Sequence, residues 1–192
     1  MNVKAIFLCG PHTSGKTSIL KRLKEEHFFQ RIELEIGKEL YYQRKFSTER
    51  QGEDFEREVT RLELERDRKI TEVDHFVGIE TWHPGNLAYA MVRNPHMVDE
   101  LAERMKKSPL IDSIMGIYLD IPREIIFQRT KTFQADREWA ADFYSKINGY
   151  LPQCIEKIGL SDRTIHLRAT GTFEEVLMEV KTKISEAIFN KK

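Results

Sequence analysis

Residues 7–23 read FLCGPHTSGKTSILKRL. Within them GPHTSGKT, residues 10–17, satisfies G-x-x-x-x-G-K-[ST]. Each part has a physical task. Gly10 and Gly15 permit backbone angles and close approaches that a side chain would block. The loop between them can turn its N–H groups inward to form a concave anion site, reinforced by the positive end of the helix that follows. Lys16 brings an ammonium to the outer phosphates of a nucleotide, and Thr17 offers a hydroxyl to Mg²⁺ bridging them. Gly10, Pro11, His12, Thr13, Ser14, Gly15, Lys16, Thr17 and Ser18 are therefore the expected phosphate-binding residues. His12 is expected to be exposed and to ligate no metal.

The flanks supply the context this pattern requires. Residues 3–9 are a nearly continuous apolar run, as in a strand buried on both faces. In residues 14–26, Ile19, Leu20 and Leu23 recur at helical spacing. The alternation continues along the chain. Strands are expected at 31–34, 74–80, 113–120 and 163–169, and helices at 38–46, 51–71, 84–92, 96–107, after Pro122, around Trp139 to Leu151 and over Phe173–Phe189. In 51–71, Phe55, Val59, Leu62, Arg66 and Ile70 form one stripe and the other faces are charged, which predicts a partly exposed helix. Pro152 should kink or end its helix. Alternating strands and helices predict a three-layer α/β/α domain around a parallel sheet.

The 192 residues suit one domain spanning 1–192. The 31 basic and 31 acidic residues cancel, which speaks against a broad nucleic-acid or membrane surface. Two cysteines, Cys9 and Cys154, make no disulfide framework, and Cys9 reads as a small buried hydrophobe. The apolar start is too short for a leader or a membrane span, so a cytoplasmic location is expected.

The length is short for a helicase or transporter module, and there is no N-K-x-D guanine motif. Beside the loop, three further stretches, FVGIETWHPGNLAYA (76–90), IYLDIPREIIFQRTKTFQADRE (117–138) and HLRATGTFEEV (166–176), fall at matching chain positions. Together they resemble the P-loop nucleoside and nucleotide kinases, the group of thymidylate and deoxynucleoside kinases. The resemblance implies a P-loop NTPase fold with a five-stranded parallel sheet in the order 2-3-1-4-5. It also implies ATP (or GTP) with Mg²⁺ as donor and a small-molecule phosphoryl acceptor, a nucleoside or nucleotide. A homodimer stays open.

The resemblance assigns roles residue by residue. Lys16 and Glu80 would be catalytic, with Glu80 taking the acceptor's proton or holding a water on Mg²⁺. Thr17 and Glu80 would serve the metal, with Asp120 as the competing acid. Arg129 and Arg137, with Lys131, would act from a lid at about 129–138 on the transferring group. Ala169, Thr170 and Gly171 would pack on the donor base, although Thr172 and Glu175 also form a capping-box pattern. Glu35, Glu39, Tyr42, Arg44 and Trp82 would line the acceptor site. The sequence departs from the family in having Thr81-Trp82-His83 where an Arg usually follows the acid. That departure keeps open a second reading, a nucleotide-dependent switch with weak NTPase activity.

Overall fold

In the computed structural model, residues 3–43, 52–130 and 136–189 are described. Five strands form one parallel sheet: β1 (Ala5–Cys9), β2 (Arg31–Glu33), β3 (Val77–Glu80), β4 (Ile114–Asp120) and β5 (Thr164–Arg168). Their order is β2-β3-β1-β4-β5, as the resemblance implies. Eight helices surround it among the described residues: α1 (Lys16–Glu25), α2 (Ile36–Tyr42), α3 (Glu53–Thr71), α4 (Trp82–Arg93), α5 (Val98–Met105), α6 (Arg123–Arg129), α7 (Arg137–Lys157) and α8 (Phe173–Phe189). The expected helix at 38–46 starts two residues earlier, and its last residues lie outside the described ones.

The all-apolar run of β1 has a simple cause. Side chains alternate across a strand, and both faces of this sheet are covered. Ala5, Phe7 and Cys9 enter a core with α4, α5 and α7, whereas Ile6 and Leu8 enter a second core with α1 and α8. β1 pairs with β3 on one side and β4 on the other, so the chain leaves its carboxyl end at a switch point between neighbours. Leu8 stands opposite Glu80 and Cys9 opposite Tyr118, which brings the ends of these three strands to one edge. Both cysteines are free and buried, and burial pushes each thiol up to about 12. Among the described residues no helix is long and apolar enough to cross a membrane.

Two expectations are corrected. The charged residues of α3 are not all solvated: Glu56, Glu63 and Asp67 are buried with the apolar stripe. Each has a partner on a neighbouring group, since buried carboxylates without one are costly. Glu56 accepts from Arg93 and Asn94, Glu63 pairs with Arg66, and Asp67 accepts from α4 and from Ser108. Pro152 neither ends nor breaks α7, which runs through it. Proline has no N–H for the carbonyl four residues back. That carbonyl, Asn148 O, instead accepts from the Tyr118 hydroxyl of β4 at 2.9 Å. The Asn148 side chain ties the same turn to Asp120 Oδ1 at 2.7 Å and to Ile121 O at 3.1 Å.

Candidate active site

Where β1 ends, the chain curls. Gly10 has φ 152°, and a Cβ there would lie 2.6 Å from Leu119 O and 2.8 Å from Ser14 Oγ, so no side chain fits. Thr13 (φ 69°) and Gly15 (φ 93°) continue the turn into α1. Gly15 caps that helix without a side-chain hydrogen bond, and its first turn holds no acidic residue. The positive end of α1 is thus left facing the loop. Lys16, only 6% exposed, donates from Nζ to Gly10 O (3.0 Å) and Pro11 O (2.9 Å). Thr13 Oγ1 and Ser14 Oγ are buried with no hydrogen-bond partner. Burying unpaired hydroxyls costs about 1–3 kcal/mol each, and an anion seated in the loop would relieve that cost.

Glu80, the last residue of β3, is 5% exposed and accepts a hydrogen bond from the Thr17 hydroxyl. Two hard oxygen groups side by side at a phosphate site fit a Mg²⁺ ion, which takes few protein ligands and completes its shell from phosphates and water. Among the described residues no cluster of three or more His, Cys, Asp or Glu is placed to hold a metal alone. Asp120, the competing acid, is committed elsewhere, accepting from Asn148 Nδ2 at 2.7 Å and lying 3.1 Å from His166 Nε2.

Beyond Glu80 the backbone turns sharply. Thr81 (φ 70°, ψ −64°) and Trp82 (φ 52°) both lie in the region that L residues avoid. Such conformations cost about 1–3 kcal/mol each and persist only where surroundings impose them. Thr81 N–H donates to Leu8 O at 2.8 Å and Thr81 Oγ1 to Glu35 Oε2 at 3.1 Å. A Cβ on Gly85 would come within 2.5 Å of Thr81 Cγ2, so only glycine leaves room for this turn.

Glu35 caps the start of α2 and stands within electrostatic reach of Lys16 and Glu80. Burial raises its carboxyl above the ordinary value; Lys16 opposes the shift and Glu80 adds to it. Tyr89 of α4 and Tyr144 of α7 stand in the same field. Burial raises both phenols, Glu35 raises them further, and Tyr144 reaches about 12. Arg93 lies over the rings of Phe55 (5.3 Å) and Tyr89 (5.1 Å) while bonding Glu56. The His12 ring stacks on Tyr144 at 5.0 Å and 28°. Burial, then the charges of Lys16 and Lys38, lower its pKa to about 4. Tyr89, Arg93 and Tyr144 did not stand out in the sequence. Tyr144 sits one place from the Trp139-Phe143-Ile147 periodicity, and only the fold shows that it faces the loop residue His12.

Several expected site residues are placed differently. Trp82 is completely buried, with its ring 5.0 Å from that of Phe7, so it has no surface for an acceptor. Ala169 is likewise buried in the core beneath the loop at 169–171, leaving Thr170 and Gly171 as the accessible pair. Thr172 and Glu175 do form the reciprocal cap of α8. Arg129 donates to Gly171 O (3.1 Å) and Ala169 O (3.4 Å), and Arg137 to Thr130 O (3.0 Å) and Phe127 O (3.2 Å). Both guanidinium groups thus bind main-chain carbonyls. Glu39 bonds Gln43 and lines a shallow groove of about 390 Å³ with Arg31, Leu62 and Lys69. Tyr42 is 70% exposed, edge-on to Tyr41, and both influence Tyr144 electrostatically from the rim. His12 is half-buried, not exposed as expected. Ser18 is exposed on the first turn of α1. Arg44 and Lys131 lie outside the described residues.

No protein-family model and no curated protein matches the sequence. Solved structures match over nearly the whole chain. Deoxyadenosine kinase from M. mycoides with bound dATP superposes with a TM-score of 0.70 at 12% identity, covering 95% of this chain and 99% of that one. Thymidylate kinase from Candida albicans gives 0.67 at 14% identity, over 100% and 94%. The YorR protein from Bacillus subtilis, in complex with phosphorylated GDP, gives 0.65 at 16% identity, over 95% and 96%. The chain has the fold of the P-loop kinases.

Proposed function

We propose that the protein moves the terminal phosphoryl group of ATP, or GTP, to a hydroxyl of a small acceptor, a nucleoside or nucleotide. The observation that carries this reading is the Thr17 hydroxyl on the Glu80 carboxylate, beside Lys16 and a loop with unpartnered buried hydroxyls. The loop N–H groups and Lys16 hold and neutralise the phosphates. Thr17 and Glu80 would hold Mg²⁺, which would supply charge neutralisation at the phosphates. The acceptor oxygen forms a bond to the γ-phosphorus as the bond to the β–γ bridging oxygen breaks. Glu80 takes the acceptor proton or orders the water that does.

Glu35 and Glu80, two carboxyl groups on the acceptor side, suit recognition of hydroxyls, and the rings of Tyr89 and Tyr144 suit a flat base. Kinases that act on such molecules share this fold, and a neighbour binds dATP. The Thr81-Trp82-His83 departure, which motivated the switch reading, has an independent cause in the buried contacts of these residues. The test is ADP release with ATP-Mg²⁺ against a panel of nucleosides and nucleotides. Release that requires one acceptor class, and is lost in Glu80→Gln, is expected. Hydrolysis indifferent to every acceptor would favour the switch and sink the kinase reading.

A further inference from the structure

Behind Glu80 lies a polar cluster that no step above uses. Asp67 of α3 is fully buried and accepts from Trp82 Nε1 with both oxygens, at 3.1 and 3.2 Å. Its Oδ2 also lies 2.9 Å from His83 Nε2 and 2.5 Å from Ser108 Oγ. Trp82 and His83 are fully buried, and Ser108 is 2% exposed. Among the described residues no Lys or Arg forms an ion pair with Asp67; the imidazole of His83 is its ring partner. A cluster meant only to fill space would be apolar, because a buried carboxylate is stable only when its oxygens are fully engaged.

What the cluster engages is the pair of residues following Thr81. Thr81 and Trp82 are consecutive non-glycine residues at positive φ, so the turn does not hold itself. Asp67 grips its far side through Trp82 and His83, and Glu35 grips its near side through Thr81. Glu80 is the residue immediately before the turn, and its carboxylate meets Thr17. We propose that Asp67 is a positioning residue, reached through the Trp82-His83 turn, that aims Glu80 at Thr17 and the metal of the bound nucleotide. This rests on the reading of Glu80 given above.

The test is a double-mutant cycle on Mg²⁺ affinity, measured by calorimetry on protein saturated with the β,γ-imido analogue of ATP. Asp67→Asn and Glu80→Gln are each expected to weaken Mg²⁺ about tenfold, the range for groups that orient metal ligands, and the double variant no more than either alone. Leu101→Ala, a core truncation in α5 outside the cluster, serves as the stability control and should leave Mg²⁺ affinity unchanged. Unaltered affinity in Asp67→Asn, or losses that add in the double variant, would overturn the proposal. If Asp67→Asn does not fold, Trp82→Phe, which removes only the indole N–H, takes its place with an expected loss of about threefold, and an unchanged value there overturns it equally. A wild type that binds analogue and Mg²⁺ yet transfers nothing to any acceptor would sink the kinase reading while leaving this cycle fully readable.

Discussion

In the loop after β1, eight consecutive residues supply the curl, the ammonium and the hydroxyls. On the proposed acceptor side Glu35, Tyr89, Arg93 and Tyr144 come from the cap of α2, from α4 and from α7. In the first region stability and function pull apart: glycines and a helix start shape it, and two buried hydroxyls stay unpaired at about 1–3 kcal/mol each. The second cannot separate the two, since Arg93 simultaneously stacks on Tyr89 and satisfies the buried carboxylate of Glu56. A local site can therefore be lost without unfolding, and a dispersed one cannot.

Substitutions on the two sides should expose this contrast. Arg93→Ala leaves Glu56, 2% exposed, without its cation. A loss of about 3–5 kcal/mol is expected, read as a lower midpoint in urea. Lys16→Ala should lower kcat about 10²–10³-fold with the urea midpoint unchanged, measured by ADP release beside denaturation. If Lys16→Ala unfolds the protein, or Arg93→Ala spares it, the contrast is wrong.

Tyr144→Leu removes the ring on which His12 stacks. It should raise KM for the acceptor about tenfold while leaving KM for ATP within about twofold, the scale of one aromatic contact. Equal changes in both would mean that Tyr144 belongs to the loop and not to the acceptor wall.

The smallest effects are in pH dependence, and the two sides should differ in sign. His12 titrates near 4 in the folded protein against 6.5 when free, so the folded state binds fewer protons between those values. Its contribution is present above 6.5 and is lost as pH falls toward 4, and His12→Gln should flatten that part of the stability curve by about 1–2 kcal/mol, allowing for partial exposure. Glu35 is raised above 4.5, so its contribution is present below 4.5 and is lost as pH rises through the folded value. Glu35→Gln should remove that decline, checked by thermal melts across pH. A slope of the same sign for both would contradict the electrostatics of the wall.

The same contrast explains what could be read from the sequence. The loop and the strands were legible because continuous apolar runs and a contiguous motif carry local information, whereas the strand order came only from the resemblance to the P-loop kinases. The place of Glu80 at the end of β3 was legible because it closes such a run, while its role came from the resemblance. Trp82 misled because an aromatic beside a candidate catalytic acid looks like a pocket wall, whereas Asp67, fifteen residues earlier on another helix, draws it inward. Asp67 and Glu63 themselves read as solvated charge, since a helix stripe reveals apolar burial and says nothing of a polar partner across the interface. Tyr89 and Arg93 lie one turn apart on α4, but Tyr144 has no spacing relation to them in the sequence; only the packing of α4 against α7 brings it to them.

Pro152 carries a consequence for alignment. The carbonyl it leaves unclaimed, Asn148 O, is taken by Tyr118, and Asn148 lies one helical turn from Tyr144. The strand thus indexes the helix: a proline defect marks the single axial setting at which a tyrosine of β4 can enter α7. Sliding the helix by one residue would shift Tyr144 about 1.5 Å along the axis and swing it about 100° away from His12. With alanine at 152 the helix would close its own hydrogen bond there, and the mark that sets the aromatic wall against the loop would be erased.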